Sequence, residues 1–180
     1  VGDVYNRQGQ FNLGVMDDNG QGVPQDYADA RNWYRKAADQ RHARAQFNLG
    51  LMYGKGQDVP QDYTEAVKWY RKAADQGDAS AQLNLGFMYD NGQGVPQDYA
   101  EARNWYRKAA DQRHARAQFN LGLMYGKGQD VPQDYTEAVQ RYRKAADPGD
   151  ASAPVHRRFL YDTAQGVRQE KAASPYTNTD

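Results

Sequence analysis

The sequence predicts an all-α solenoid of 36-residue helical hairpins, and three observations predict it. The segment Q-[FL]-N-L-G recurs as Gln10–Gly14, Gln46–Gly50, Gln82–Gly86 and Gln118–Gly122, at a constant step of 36 residues. Two further landmarks keep that step. V-P-Q-D-Y stands at Val23–Tyr27, Val59–Tyr63, Val95–Tyr99 and Val131–Tyr135, and Y-R-K-A-A-D at Tyr34–Asp39, Tyr70–Asp75, Tyr106–Asp111 and Tyr142–Asp147. Between the landmarks the apolar residues fall at helical spacing, not in alternation. A fixed period of this length is the signature of a repeat array, whose units bury their apolar faces against their neighbours.

A second period of 72 lies over the first. Residues 18–76 and 90–148 differ only at Asp29/Glu101, Lys68/Gln140, Trp69/Arg141 and Gln76/Pro148, so the unit that was copied was a pair of hairpins. The whole chain, 1–180, reads as a single array. Its repeats run over about 9–44, 45–80, 81–116 and 117–152, followed by a degenerate partial repeat over 153–173 and a tail over 174–180. Four complete hairpins and one decayed first helix predict about nine helices.

The first helix of each hairpin carries Ala45, Leu49, Met52 and Tyr53 on one face. Gly56 follows as a C-terminal stop. Gly50, Gly86 and Gly122 sit inside this helix, where glycine costs up to ~1 kcal/mol against alanine. Their recurrence predicts the close approach of a neighbouring helix. The second helix begins after Pro60. Asp62-x-x-Glu65 resembles a capping box and returns at Asp98/Glu101 and Asp134/Glu137. Tyr63, Ala66, Tyr70, Ala73 and Ala74 form its buried stripe, with Trp69 at the edge; the tryptophans at 36-residue spacing read as interhelical packing. Gly77 closes the second helix of an even copy. Arg41 and Arg113 occupy that place in odd copies, which predicts a different cap there.

Composition narrows the function. Lys+Arg and Asp+Glu both total 23, so the formal net charge is zero, and the charges are interleaved as on a solvated face. The basic excess or stripe of a nucleic-acid binder is absent. No apolar run reaches the ~18 residues of a membrane span. There is no cysteine, hence no disulfide framework or thiolate metal site. His42, His114 and His156 form no cluster at metal-ligand spacing, and Asp26, Asp62, Asp98 and Asp134 read as helix caps, not catalytic carboxylates. We expect no catalytic residue, no metal and no cofactor.

The pattern A-x-x-x-L-G-x-x-Y, then G-x-G-V, then D-Y-x-x-A-x-x-W-Y-x-K-A-A, resembles the Sel1-like repeat, a relative of the tetratricopeptide repeat, over residues 9–167. The resemblance implies a right-handed α/α superhelix and a role as a non-enzymatic adaptor. In bacteria it implies a periplasmic or secreted protein. The chain departs from the pattern at Asp17, where Tyr53 stands in the next copy, and at Arg141, where Trp105 stands in the copy before.

The first helix is also apolar on a second side, through Phe47/Leu51, Leu83/Phe87 and Phe119/Leu123. By resemblance to tetratricopeptide arrays this side lines the concave surface, a place for a peptide or protein ligand. The alternative is that neighbouring repeats cover it. Arg44 and Arg116 lie one turn before this strip, and Lys55 and Lys127 one turn after, where they can meet acidic groups on a partner. Two other readings stand beside the scaffold: an envelope hydrolase acting on cell-wall or β-lactam-like substrates, for which the sequence offers no nucleophile–base pair, and a structural protein that self-associates through its end repeats.

Overall fold

The computed structural model describes residues 2–146. Among these the chain is all helix and turn, with eight helices: α1 (Gly2–Asn19), α2 (Tyr27–Asp39), α3 (Ala43–Lys55), α4 (Tyr63–Asp75), α5 (Ala79–Asn91), α6 (Tyr99–Asp111), α7 (Ala115–Lys127) and α8 (Tyr135–Ala145). The partial repeat over 153–173, with the ninth helix expected from it, and the tail lie outside the described residues. The helices pair as α1/α2, α3/α4, α5/α6 and α7/α8, each pair formed from the two halves of one 36-residue copy. The described residues fall into two compact units, divided between Ala109 and Ala110.

Each second helix starts where the sequence places its cap. Asp26 Oδ1 accepts from the Ala28 and Asp29 amides at 2.9 and 3.0 Å. Asp62, Asp98 and Asp134 accept from Glu65, Glu101 and Glu137 at 2.9, 3.0 and 2.9 Å. Such a cap satisfies an orphan first-turn donor and is worth ~1 kcal/mol. These four aspartates therefore have a structural task.

The turn between the two helices is held by a glutamine. Gln25, Gln61, Gln97 and Gln133 donate through Nε2 to the carbonyls of Asp18, Gly54, Asp90 and Gly126 at 2.6, 2.8, 2.7 and 2.8 Å. The same turn needs a left-handed residue, and Gly56, Gly92 and Gly128 supply it with φ of 71, 64 and 69°.

The second helices end differently from the expectation. Arg41 (φ 64°) and Arg113 (φ 62°) adopt the left-handed conformation that Gly77 (φ 92°) adopts. The Arg41 amide donates to Ala38 O at 2.9 Å, and the Gly77 amide to Ala74 O at 3.0 Å. The cap is one and the same. The arginines hold it against the Cβ clash that makes this region costly for residues other than glycine.

Within each hairpin the close approach predicted from the recurring glycine is present. A Cβ on Gly50 would lie 2.5 Å from Tyr70 Cδ1, one on Gly86 2.6 Å from Tyr106 Cδ1, and one on Gly122 2.5 Å from Tyr142 Cε1. The Cδ1–Cε1 edge of the second helix's tyrosine ring thus lies against the bare backbone of the first. In the first unit the hairpins stack through a shared core. Ala30, Tyr34, Ala37 and Ala38 of α2 close over Ala45, Leu49 and Met52 of α3. Ala66, Tyr70, Ala73 and Ala74 of α4 close over Ala81, Leu85 and Met88 of α5.

Candidate interaction surface

The second side of the first helices divides by depth. Phe47 and Leu51 of α3 are half-buried and pack against the core of α4 and α5, and the Phe47 ring lies 5.9 Å from that of Tyr70. On α5, Leu83 is buried at 6% exposure, whereas Phe87 is open at 43%. In the second unit Phe119 and Leu123 are half-buried, with the Phe119 ring 5.4 Å from Tyr142. The expected strip is thus uneven: Leu83 belongs to the core, Phe47, Leu51, Phe119 and Leu123 are half-buried, and Phe87 is exposed. Phe87 is its most open member. Arg44, Lys55, Arg116 and Lys127 are all exposed.

A buried glutamine that the sequence reading did not assign recurs in the first helices of both units. Gln46, Gln82 and Gln118 are buried at 4, 5 and 7% exposure. Each Nε2 donates to a carbonyl at the end of the preceding second helix: Ala38 O at 3.0 Å, Ala74 O at 3.2 Å and Ala110 O at 2.9 Å. Gln46 Oε1 in turn accepts from Gln76 at 2.7 Å. A buried amide placed this way gives each helix-end carbonyl a second donor beside the backbone amide of the cap, and so ties the first helix to the end of the second. The signal was available: the same polar residue returns at the apolar edge of every first helix. Around Gln46 the ends of α2 and α4 leave a cleft of about 390 Å³, walled by Asp39, Arg41, Lys72, Asp75 and Gln76. Its charges of both signs give it no preference for one ion.

His42 is a cap. Its Nδ1 accepts from the Ala45 amide at 3.2 Å, its Nε2 meets Gln8 Oε1 at 3.2 Å, and its ring stacks on Phe11 at 4.6 Å. Burial, then the nearby Arg7 and Arg44, hold its pKa below the usual histidine range. Tyr70 and Tyr142 have hydroxyls pushed up to about 12 by burial. Tyr34 is raised by burial and by Asp18, whose Oδ2 accepts its hydroxyl at 3.0 Å. These shifts follow from packing and need no reaction to explain them. Among the described residues no three His, Cys, Asp or Glu side chains group as a metal site, and no helix is long and apolar enough to cross a membrane.

The family model of the Sel1 repeat matches residues 7–42, 43–78, 79–114 and 115–150, four copies in register with the hairpins described above. The chain belongs to the Sel1 repeat family. A Sel1 repeat protein from Oxalobacter formigenes is 43% identical with a TM-score of 0.78, the match covering 87% of this chain and 63% of that one. A protective antigen present in uropathogenic Escherichia coli strains, displaying the same repeat fold, is 45% identical with a TM-score of 0.79, over 83% of this chain and 32% of that one. This Sel1 chain thus spans less than two thirds of the length of either. Helicobacter pylori cysteine rich protein B, at 21% identity and a TM-score of 0.53, shares the fold. Among curated proteins none matches the chain. The Sel1 fold is commonly a scaffold for protein interactions, and this chain carries it in four copies.

Proposed function

We propose that this Sel1 array is a non-enzymatic scaffold that holds a peptide or protein segment against the second side of its first helices. The observation that carries the reading is Phe87. It is a large aromatic side chain 43% exposed in the interior of a repeat array, beside the buried Leu83. Burying such a ring on a partner is worth about 25 cal/mol per Å² of apolar area. Phe47 and Leu51 flank it in sequence register on α3, and Phe119 and Leu123 repeat the arrangement in the second unit. In each unit the exposed pair, Arg44 and Lys55 in the first and Arg116 and Lys127 in the second, favours a partner with acidic residues beside its apolar stretch.

The test compares Phe87→Ser with the unaltered chain as bait in lysate of the source organism, with bound proteins read by mass spectrometry. Phe87 leaves no cavity in the core, so the helical content and melting temperature stay as they are. Loss of a specific partner with Phe87→Ser, and its weakening with Lys55→Glu, supports the reading. Full retention of that partner by Phe87→Ser refutes it and moves the binding surface elsewhere.

A further inference from the structure

Within the first unit, successive hairpins meet through two different junctions. Where the α3–α4 turn meets α2, the contact is an ion pair. Arg31 Nη1 lies 3.2 Å from Asp58 Oδ2 and donates to the Asp58 carbonyl at 3.4 Å. Asp58 holds φ at 59°, a left-handed backbone that costs a residue with a Cβ more than it costs glycine.

Where the α5–α6 turn meets α4, the same two places hold no charge. Gly94 stands at the Asp58 place with φ 70°, and a Cβ on it would overlap the Tyr63 carbonyl and lie 2.8 Å from the Thr64 amide nitrogen. Val67 stands at the Arg31 place, 6% exposed, in the apolar cluster against which Val95 of the same turn packs. The parts of one junction do not serve the other. An aspartate in place of Gly94 has no room for its Cβ and finds a valine instead of a cation. A glycine in place of Asp58 leaves Arg31 without its carboxylate. The capping aspartate and the turn glutamine, by contrast, are alike in both hairpins. In sequence the alternation runs on, with Arg103 and Asp130 at the Arg31 and Asp58 places of the later copies.

We infer that the hairpins are of two kinds that stack in alternation, and that the Arg31/Val67 and Asp58/Gly94 places specify which kind follows which. A second helix with arginine receives a turn with aspartate, and one with valine receives a turn with glycine. The two mismatches differ in strength. Aspartate over valine sets a Cβ into backbone, whereas glycine over arginine forfeits one partly exposed ion pair. Gain or loss of a single hairpin brings like kinds together; gain or loss of a pair does not. This is a physical reason for the period of 72 that lies over the period of 36, and for the near-identity of residues 18–76 and 90–148.

The test replaces residues 79–114 of the full chain by a second copy of residues 43–78, which keeps the length and sets the inserted aspartate over Val67. Thermal unfolding followed by circular dichroism should show a melting temperature lower by about 2–12 °C, the span for one overpacked contact in a chain of this length. Recoding the inserted copy with Asp58→Gly and Val67→Arg restores the alternation and should raise the melting temperature again by about 2–12 °C. A duplicated chain that melts like the parent overturns the inference. So does a recoded chain that regains nothing, because the order is then set elsewhere in the hairpins. If the duplicated chain does not fold, folding of the recoded one supports the inference and its failure to fold overturns it. In the parent chain, Gly94→Asp against Gly22→Asp isolates the steric part. Both glycines are left-handed, at φ 70 and 75°, but a Cβ on Gly22 meets Met16 Cε at 4.0 Å and nothing closer. Gly94→Asp should melt lower than Gly22→Asp by about 2–12 °C, and equal melting overturns the specification at that place.

Discussion

Replacing Gly86 by alanine adds one methyl group, and the structure fixes what that methyl meets. The new Cβ would lie 2.6 and 2.7 Å from Cδ1 and Cε1 of Tyr106 and 3.2 Å from the Ala102 carbonyl. The ring has nowhere to go: Tyr106 is 0% exposed, and its hydroxyl donates to Asp90 Oδ2 at 3.2 Å. α5 and α6 must therefore part. Overpacking of this kind typically costs 1–3 kcal/mol, and alanine returns ~1 kcal/mol of helix propensity over glycine. Contact with both a ring and a backbone atom places the cost in the upper half of that range, for a net loss of about 1–2 kcal/mol. For a chain of this length that is a fall in melting temperature of about 2–8 °C. Gly9→Ala is the matched control. Gly9 is also inside a first helix, but its Cβ meets nothing. Only the propensity gain applies, up to ~1 kcal/mol, and the melting temperature rises. The assay is thermal unfolding of both variants followed by helical circular dichroism. Equal shifts, or a rise for Gly86→Ala, would refute the claim that Tyr106 lies against the Gly86 backbone.

Three further perturbations follow from single residues. Arg41→Gly relieves the left-handed backbone at φ 64° and should stabilise the chain by about 0.5–1 kcal/mol after the glycine entropy loss, read as a higher denaturant midpoint with unchanged slope. Gln46→Ala takes the side-chain donor from the Ala38 carbonyl, which keeps the Arg41 amide, and takes the acceptor from Gln76; at about 0.5–1.5 kcal/mol for each bond it should cost more than Gln61→Ala at an exposed turn, and equal losses would show that the buried glutamines have no special weight. His42→Asn keeps a capping side chain but removes the proton site. Because His42 in the folded chain titrates below its unfolded value of about 6.5, the unfolded chain binds the proton first, and wild-type stability falls as pH drops below that value. The melting temperature of the wild type should therefore drop relative to His42→Asn between about pH 7 and pH 5, and parallel curves would contradict the cap geometry.

The hairpins were legible because their signals are local and repeated. The cap aspartates, the helix-stop glycines and the recurring interior glycine each do in the structure what their position along the helix implies, and a fixed period lets four weak signals count as one strong one. What could not be read is what depends on a partner distant in sequence. The Gln46 position is visible as a recurrence, but its task requires knowing that Ala38 O ends a helix directly above it. Arg41 was expected to change the cap. It does not, because the carbonyls of Ala37 and Ala38, accepting from the amides of Gln40, Arg41 and His42, fix the backbone there whatever residue sits at the bend. The exposure of Phe87 beside buried Leu83 was equally invisible, since both are apolar and four residues apart on one helix.

Arg141 shows how an array absorbs a substitution without losing its geometry. In α6, Trp105 donates its indole N–H to Glu101 Oε2 at 3.2 Å, and Lys108 lies 4.0 Å over its ring. In α8 the arginine takes the tryptophan place and keeps the same acceptor: Arg141 Nε donates to Glu137 Oε1 at 2.7 Å. It then reaches Gln118 Oε1 at 3.4 Å and stacks 6.0 Å from the Tyr125 ring. The planar guanidinium supplies both a donor and a flat face, the two properties of the indole that the site uses. α4 solves the same position in a third way. Lys68, where α6 has Asn104, takes the glutamate at 3.0 Å, and the buried Trp69 indole N–H is left without an acceptor. Arg35 at 5.0 Å and Lys72 at 4.1 Å from its ring supply cation–π contacts instead. The position is therefore not defined by tryptophan. It is defined by a flat group that can be held by a glutamate one turn earlier or by cations on its faces, which is why the sequence can drift there while the hairpins keep their spacing.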